Sequence, residues 1–311
     1  ALSLLVCSRQ IDRCQSRQGI FADERYRRGA RHGPCRFTVA DSIDRAGIIV
    51  GHKKRSIGAN SKPDRGSHSS PPLFDDSAEF LAGNAVALNR GAEHWVAEHC
   101  SAQYHNPDVV TSSHNHTDHF DPVTLNSLRA KNPRLQIIVP EANRAVSAQR
   151  LGADPDSFIG LDSGGTKPVG GFRFQGVPAA HNDLETNEWD ENLYLGYIIE
   201  MGMHRVYHAG DTLLWDGMVD YVRPFNVDVA IFPINGNKPE RRFAGNLDGK
   251  EAAQLAKNIG ARIVIPCHYD MFEFNTVEPD EFIAACKELD QPCKVLQNGE
   301  RWSSSELDEL G

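Results

Sequence analysis

Apolar and polar positions alternate along the last three quarters of this chain in runs short enough for strands and helices to interleave. Runs rich in Val, Ile, Phe and Tyr over 172–177, 193–200, 204–207, 227–232 and 263–266 predict strands. Leu135–Val139 predicts another strand, Lys294–Leu296 a last short one, and Met201-Gly202-Met203 a turn. Helical composition covers Ser77–Cys100, Pro122–Lys131, Glu141–Leu151 with a stop at Gly152, Gly249–Ile259 ending at Gly260, and Pro279–Leu289. Before residue 70, only Phe37–Ala40 and Ala46–Val50 read as strands. Mixed strands and helices of this kind fit an α/β sandwich, two mixed sheets flanked by helices.

Composition narrows the class. A chain of 311 residues at 40% hydrophobic has room for one large domain or two small ones. Mean hydropathy is −0.45, and no apolar run approaches the ~20 residues that span a bilayer, so no membrane partner is expected. The opening Ala-Leu-Ser-Leu-Leu-Val-Cys is short and lacks a basic leader, so it is not read as a signal peptide. Seven scattered cysteines without a Cys-x-x-Cys pair suit reduced thiols and a cytoplasmic location.

The net charge of −9 conceals an asymmetry. The first 70 residues hold 14 Lys and Arg against 6 Asp and Glu, so the acidic excess lies in the remainder. The basic segment lacks aromatic interleaving, so no nucleic-acid partner is expected. A Ser/Gly/Pro-rich stretch follows from Ser56 to Pro72. Residues 1–75 are therefore set apart as an atypical basic segment, disordered or divergent, and 76–311 as the functional domain.

The chemistry concentrates in Ser-Ser-His-Asn-His-Thr-Asp-His, which places His114, His116, Asp118 and His119 directly after the apolar Val109-Val110. Side chains at i and i+2 of an extended segment point the same way, so His114 and His116 can converge on one ion. Asp118 and His119, past the turn, can face a second. Further donors follow the later strand-like runs: His181, Asp211 and His268. Imidazole and carboxylate donors suit zinc, manganese or iron.

In this order, His-x-His-x-Asp-His, a lone His, Gly-Asp and a late His resemble the metallo-β-lactamase superfamily. From about 106 to 302 the chain is similar to its L-ascorbate-6-phosphate lactonase-like branch. The supporting stretches are His-Ala-Gly-Asp-Thr (208–212), Phe-Pro-Ile-Asn-Gly (232–236), Gly-Asn-Leu-Asp-Gly-Lys-Glu-Ala-Ala (245–253) and Ile-Pro-Cys-His-Tyr-Asp-Met-Phe (265–272). Residues 237–242 depart from the pattern of the sugar-phosphate enzymes, and the opening hairpin of the fold is not found before residue 75. The N-terminal quarter is accordingly expected to be divergent or foreign to the family.

The resemblance implies a metallo-β-lactamase-like αβ/βα sandwich and two divalent ions, zinc or manganese foremost and iron as a third option. His114, His116 and His181 would hold one ion; Asp118, His119 and His268 the other; Asp211 would bridge them. A hydroxide shared by the ions would attack a carbonyl or phosphoryl centre, with Asp118 orienting it and carrying its proton. The implied reaction is hydrolysis of a small-molecule lactone, either sugar-derived or an acyl-homoserine lactone. Phosphodiester hydrolysis is the alternative, and a non-catalytic metal-binding scaffold is the alternative of another class. Self-association into a homo-oligomer stays open.

Nearby residues carry weaker signals. His208 reads equally as a hydrogen-bond partner of a ligand or as a satisfied buried histidine. Asn235, Arg241, Asn246 and Tyr269 are candidate substrate contacts, although asparagines beside glycines are commonly turn residues. Lys238 and Arg242 belong to the same charged loop, and Asp270 follows Tyr269. Cys267 is expected in the core, and His105 and His204 at the surface or in turns.

Overall fold

The computed structural model describes residues 4–6, 38–41, 107–237, 245–269, 277–296 and 300–309. Its helices form where sequence signals agree. Helix α1 (Pro122–Lys131) starts with Asp121, whose carboxylate accepts from the backbone of Val123 and Thr124, and with proline in the first turn. Helix α4 (Gly249–Ile259) opens with a capping box between Asp248 and Glu251 and closes at left-handed Gly260. Helix α2 (Arg144–Leu151) ends at left-handed Gly152. Its predicted first turn, Glu141–Asn143, is a 3-10 turn. Helix α3 (Met218–Val222) is a single short turn, and α5 spans Asp280–Glu288. No helix among the described residues is long and apolar enough to cross a membrane.

The strands build two mixed sheets. The smaller has the order β1 (Leu4–Val6), β3 (Val109–Thr111), β4 (Gln136–Pro140), β5 (Phe158–Leu161). The larger runs β11 (Ile263–Cys267), β10 (Val229–Pro233), β9 (His204–His208), β8 (Leu195–Met201), β7 (Phe172–Pro178), β6 (Thr166–Val169). Strands β9, β10 and β11 pair in parallel, while β6 to β9 pair antiparallel.

Alternation along the larger sheet sorts its side chains between two cores. Val206, Val229, Ile231, Ile263 and Ile265 meet Val109, Ile138 and Leu161 of the smaller sheet. Tyr207, Ala230, Phe232 and Val264 point the other way, onto Ala252, Leu255 and Ala256 of α4 and Phe282 of α5. Being buried on both faces explains why β10 and β11 read as continuous apolar runs. The expected sandwich of two mixed sheets with flanking helices is the observed fold.

Several expectations change. No regular strand forms at Lys294–Leu296; a bridge pairs Cys293 with Val264, whose N–H donates to the Pro292 carbonyl and whose carbonyl accepts from the Lys294 N–H. The last strand is β12 (Glu300–Ser303), paired with β2 (Thr38–Asp41) in a separate ribbon. Strand β1, unforeseen, adds antiparallel to β3. Strands β5 and β6 and helix α3 were also unforeseen; β6 exposes Thr166, Lys167 and Pro168, so it carries no apolar pattern. His204, expected at the surface or in a turn, is buried at the start of β9 with Nδ1 4.0 Å from Asp228. The strand expected at Ala46–Val50, the helix at Ser77–Cys100, and most of segment 1–75 lie outside the described residues.

Candidate metal centre

Four loops leaving strand ends assemble the site: 112–119 after β3, His181 after β7, Asp211 after β9 and His268 after β11. The first loop is not extended beyond Thr111, so the i, i+2 argument does not place its ligands. Backbone bonds bend the chain instead. The His119 and Phe120 N–H groups both donate to the His116 carbonyl, at 3.1 and 2.8 Å, and bring the rings of His114 and His116 to 4.4 Å. The loop is anchored on both sides. Ser112 N–H donates to Ile138, Tyr197 hydroxyl to the Ser112 carbonyl at 2.7 Å, and Leu195 N–H to the Ser113 carbonyl at 2.9 Å. An Arg150 guanidinium also holds the Asn115 carbonyl.

The other segments are pinned with equal care. Thr212 hydroxyl accepts from Ala180 N–H, and Leu213 N–H donates to the Ala180 carbonyl, tying His181 to the Asp211 turn. Gly210, at φ +66°, lets that turn pass; a Cβ there would meet the Leu195 carbonyl and Ser113 Cβ at 2.8 Å each. Gly245, at φ +90°, lies so close to the His181 carbonyl that a Cβ would overlap it at 1.7 Å. His268 adopts φ +54°, a conformation L residues rarely take, as the chain leaves β11.

The structure brings all seven predicted donors together. Ligand atoms of His114, His116 and His181 lie within 4.8 Å of one another, as do those of Asp118, His119 and His268, and those of His114, His119 and Asp211. Asp211 stands between the groups: Oδ1 is 3.3 Å from His119 Nε2, and Oδ2 is 3.1 Å from His268 Nε2 and 3.8 Å from His181 Nε2. Asp118 Oδ2 lies 3.3 Å from His119 Nε2 and 3.5 Å from His268 Nε2. Buried His114 Nε2 has no hydrogen-bond partner. An orphaned ring nitrogen beside a cluster of carboxylates fits a cation, because it would otherwise be left desolvated at a cost of about 1–3 kcal/mol.

Electrostatics divide the cluster. Burial disfavours the charged forms of His119 and His268, yet Asp211 and Asp118 outweigh it and raise them to about 9 and about 10. Burial likewise opposes ionised Asp118 and Asp211, but His119 and His268 hold both well below the usual carboxylate range. Burial lowers His114 and His181; His119 adds to the effect on the first and His116 and His119 on the second.

The weaker candidates scatter. His208 Nδ1 accepts from Gly210 N–H at 3.1 Å, so it shapes the turn before Asp211. Asn235 and Asn246 are buried on loops bordering the cluster, joined where Gly236 N–H donates to the Leu247 carbonyl. Tyr269 sits in the apolar cluster with residues of α4 and α5, and Cys267 lies in the core between the sheets as expected. Arg241, Lys238, Arg242, His105 and Asp270 lie outside the described residues.

Two neighbours had no signal in the sequence. Tyr194 stacks on His181 at 5.1 Å and 28°, with its ring 5.2 Å from that of His114. Ser113 places its hydroxyl 2.9 Å from His114 Nδ1 and 3.3 Å from His119 Nδ1.

A profile of the beta-lactamase superfamily domain matches residues 83–269, starting well before the span the motifs alone suggested. The chain is 29% identical over 227 residues to a UPF0173 metal-dependent hydrolase of Methanosarcina barkeri, covering 71% of this chain and 87% of that one. A UPF0173 metal-dependent hydrolase of Methanoculleus marisnigri is 32% identical over 57% of this chain and 72% of its own length. Among solved structures, Igni18, a novel metallo hydrolase from Ignicoccus hospitalis, shares the fold at a TM-score of 0.52. It is 24% identical and aligns over 64% of this chain and 79% of that one.

Proposed function

The chain belongs to the beta-lactamase superfamily, and from that membership we propose that it is a metal-dependent hydrolase centred on the cluster just described. The observation that carries the reading is the convergence of seven His and Asp side chains from four loops into groups with ligand atoms within 4.8 Å. His114, His116 and His181 would hold one divalent ion, and Asp118, His119 and His268 a second. Asp211 would reach both with its two oxygens and offset the repulsion between them. The donor set suits zinc or manganese, with iron also accommodated. When bound, such ions lower the pKa of water toward neutrality and polarise the carbonyl or phosphoryl oxygen under attack.

The residues themselves would orient and move protons. Asp118 is partly exposed, and its carboxylate is held ionised. It can accept the proton of the attacking water and return it to the leaving group. Asp211 is buried and keeps its charge. We further propose a small-molecule lactone as the substrate, sugar-derived in kind, and the hydrolase domain as residues 76–311. The lactone reading draws its support from the stretches 232–236, 245–253 and 265–272, which resemble the L-ascorbate-6-phosphate lactonase-like branch.

The test is metal stoichiometry with lactone hydrolysis on the same purified sample, before and after chelation and metal restoration. Two ions per chain with metal-dependent ring opening is the expected result. Two ions with cleavage of phosphodiesters alone would move the substrate; no ion and no turnover would leave a non-catalytic scaffold.

A further inference from the structure

The hydroxyl of Ser113 meets one histidine from each ligand group. Its Oγ lies 2.9 Å from His114 Nδ1 and 3.3 Å from His119 Nδ1. The residue is 1% exposed, so water does not compete for these bonds. Its position is fixed from two further sides: its carbonyl accepts from Leu195 N–H at 2.9 Å, and Gly210, the residue before Asp211, packs against its Cβ. A methyl group at Gly210 would come within 2.8 Å of that Cβ.

A neutral imidazole that offers Nε2 to a cation carries its proton on Nδ1. His114 Nε2 is buried without a hydrogen-bond partner, and His119 Nε2 faces Asp118, Asp211 and His268. Both rings therefore present Nδ1–H to the same oxygen. A hydroxyl oxygen has two lone pairs, so Ser113 can accept both bonds while its own hydrogen points away from them. We propose that Ser113 sets the ligand tautomer of His114 and His119 together and thereby couples the two metal positions, a role resting on the ligand groups assigned above. Ser113 is a positioning residue: it acts on both ions through their ligands and touches neither substrate nor ion.

The test needs no substrate. Metal-free protein is titrated with Co2+, read by its visible spectrum, in two backgrounds. His181→Ala leaves the Asp118, His119, His268 group; His268→Ala leaves the His114, His116, His181 group. Adding Ser113→Ala is expected to weaken the remaining site about 10–100-fold in both backgrounds, as loss of a partner to a ligating histidine does. Weakening in one background alone, or in neither, overturns the proposal. A second readout uses the intact chain with zinc: imidazole nitrogen shifts of His114 and His119 are expected to show both rings protonated at Nδ1. In Ser113→Ala both Nδ1 protons should exchange faster with solvent, and a change confined to one ring overturns the coupling. Wild-type protein that takes up no Co2+ or Zn2+ would defeat the metal-centre reading itself, a result distinct from normal uptake that is insensitive to Ser113.

Discussion

The two ligand groups are built differently although they share one loop. His114, His116 and His181 are all imidazole; His114 and His181 are pushed toward the neutral form, and Tyr194 stacks against His181. Asp118, His119 and His268 include a carboxylate, and His119 and His268 hold their protons far above the usual histidine range. As proposed metal ligands, His114 and His181 would be ready at neutral pH, whereas His119 and His268 would have to release protons first. On the proposed two-ion reading, the protein would offer two positions of unequal charge and unequal readiness, with Asp211 between them.

The largest effect should erase the distinction. Asp211→Ala removes the carboxylate both groups face, so both ions and all hydrolysis are expected to be lost, read by metal content and turnover. Asp118→Asn should sharpen it instead. Turnover should fall about 10²–10⁴-fold with the loss of the proton carrier, while affinity at the first group is retained.

Acidity separates the groups further. His119 and His268 are raised above 6.5 in the fold, so their pairing with Asp118 and Asp211 stabilises the metal-free protein fully below about pH 6.5. That contribution is lost as pH rises through about 9 and about 10. Binding at the second group must displace those protons, so its affinity should climb about tenfold per pH unit for each proton until that range is passed. At the first group, where His114 and His181 are already neutral, affinity should change little above pH 7. Calorimetry in buffers of different ionisation heat reads the proton count. The smallest change is Tyr194→Ala: losing a ring stack worth about 0.5–1.5 kcal/mol should weaken the first group about 2–10-fold and leave the second unchanged.

The donors were legible because each residue type announces its chemistry and each follows a strand-like run. Helix α4 was legible from its helical composition and from Gly260, which marks its end locally; the capping box of Asp248 and Glu251 came from the structure. What stayed hidden depends on contacts distant in sequence. Ser113 is one serine among many until Gly210 and Leu195 close around it. Tyr194 stands just before strand β8 and gives no sign in the sequence of lying on His181. Strand β6 shows no alternation because it forms an edge, and Tyr269, placed by its nearness to His268, turns to the opposite core.

The path the chain takes between its donors has one more consequence. His119 and His268 stand 149 residues apart in sequence yet 3.3 Å apart at their ring nitrogens. An ion gripped by both would act as a cross-link closing that long loop, denying the unfolded chain a freedom worth about 5 kcal/mol for a covalent tie of this span. On that view the centre is also a clasp, joining the first sheet to the last strand of the second, and chelation would cut the chain loose where no peptide bond is broken.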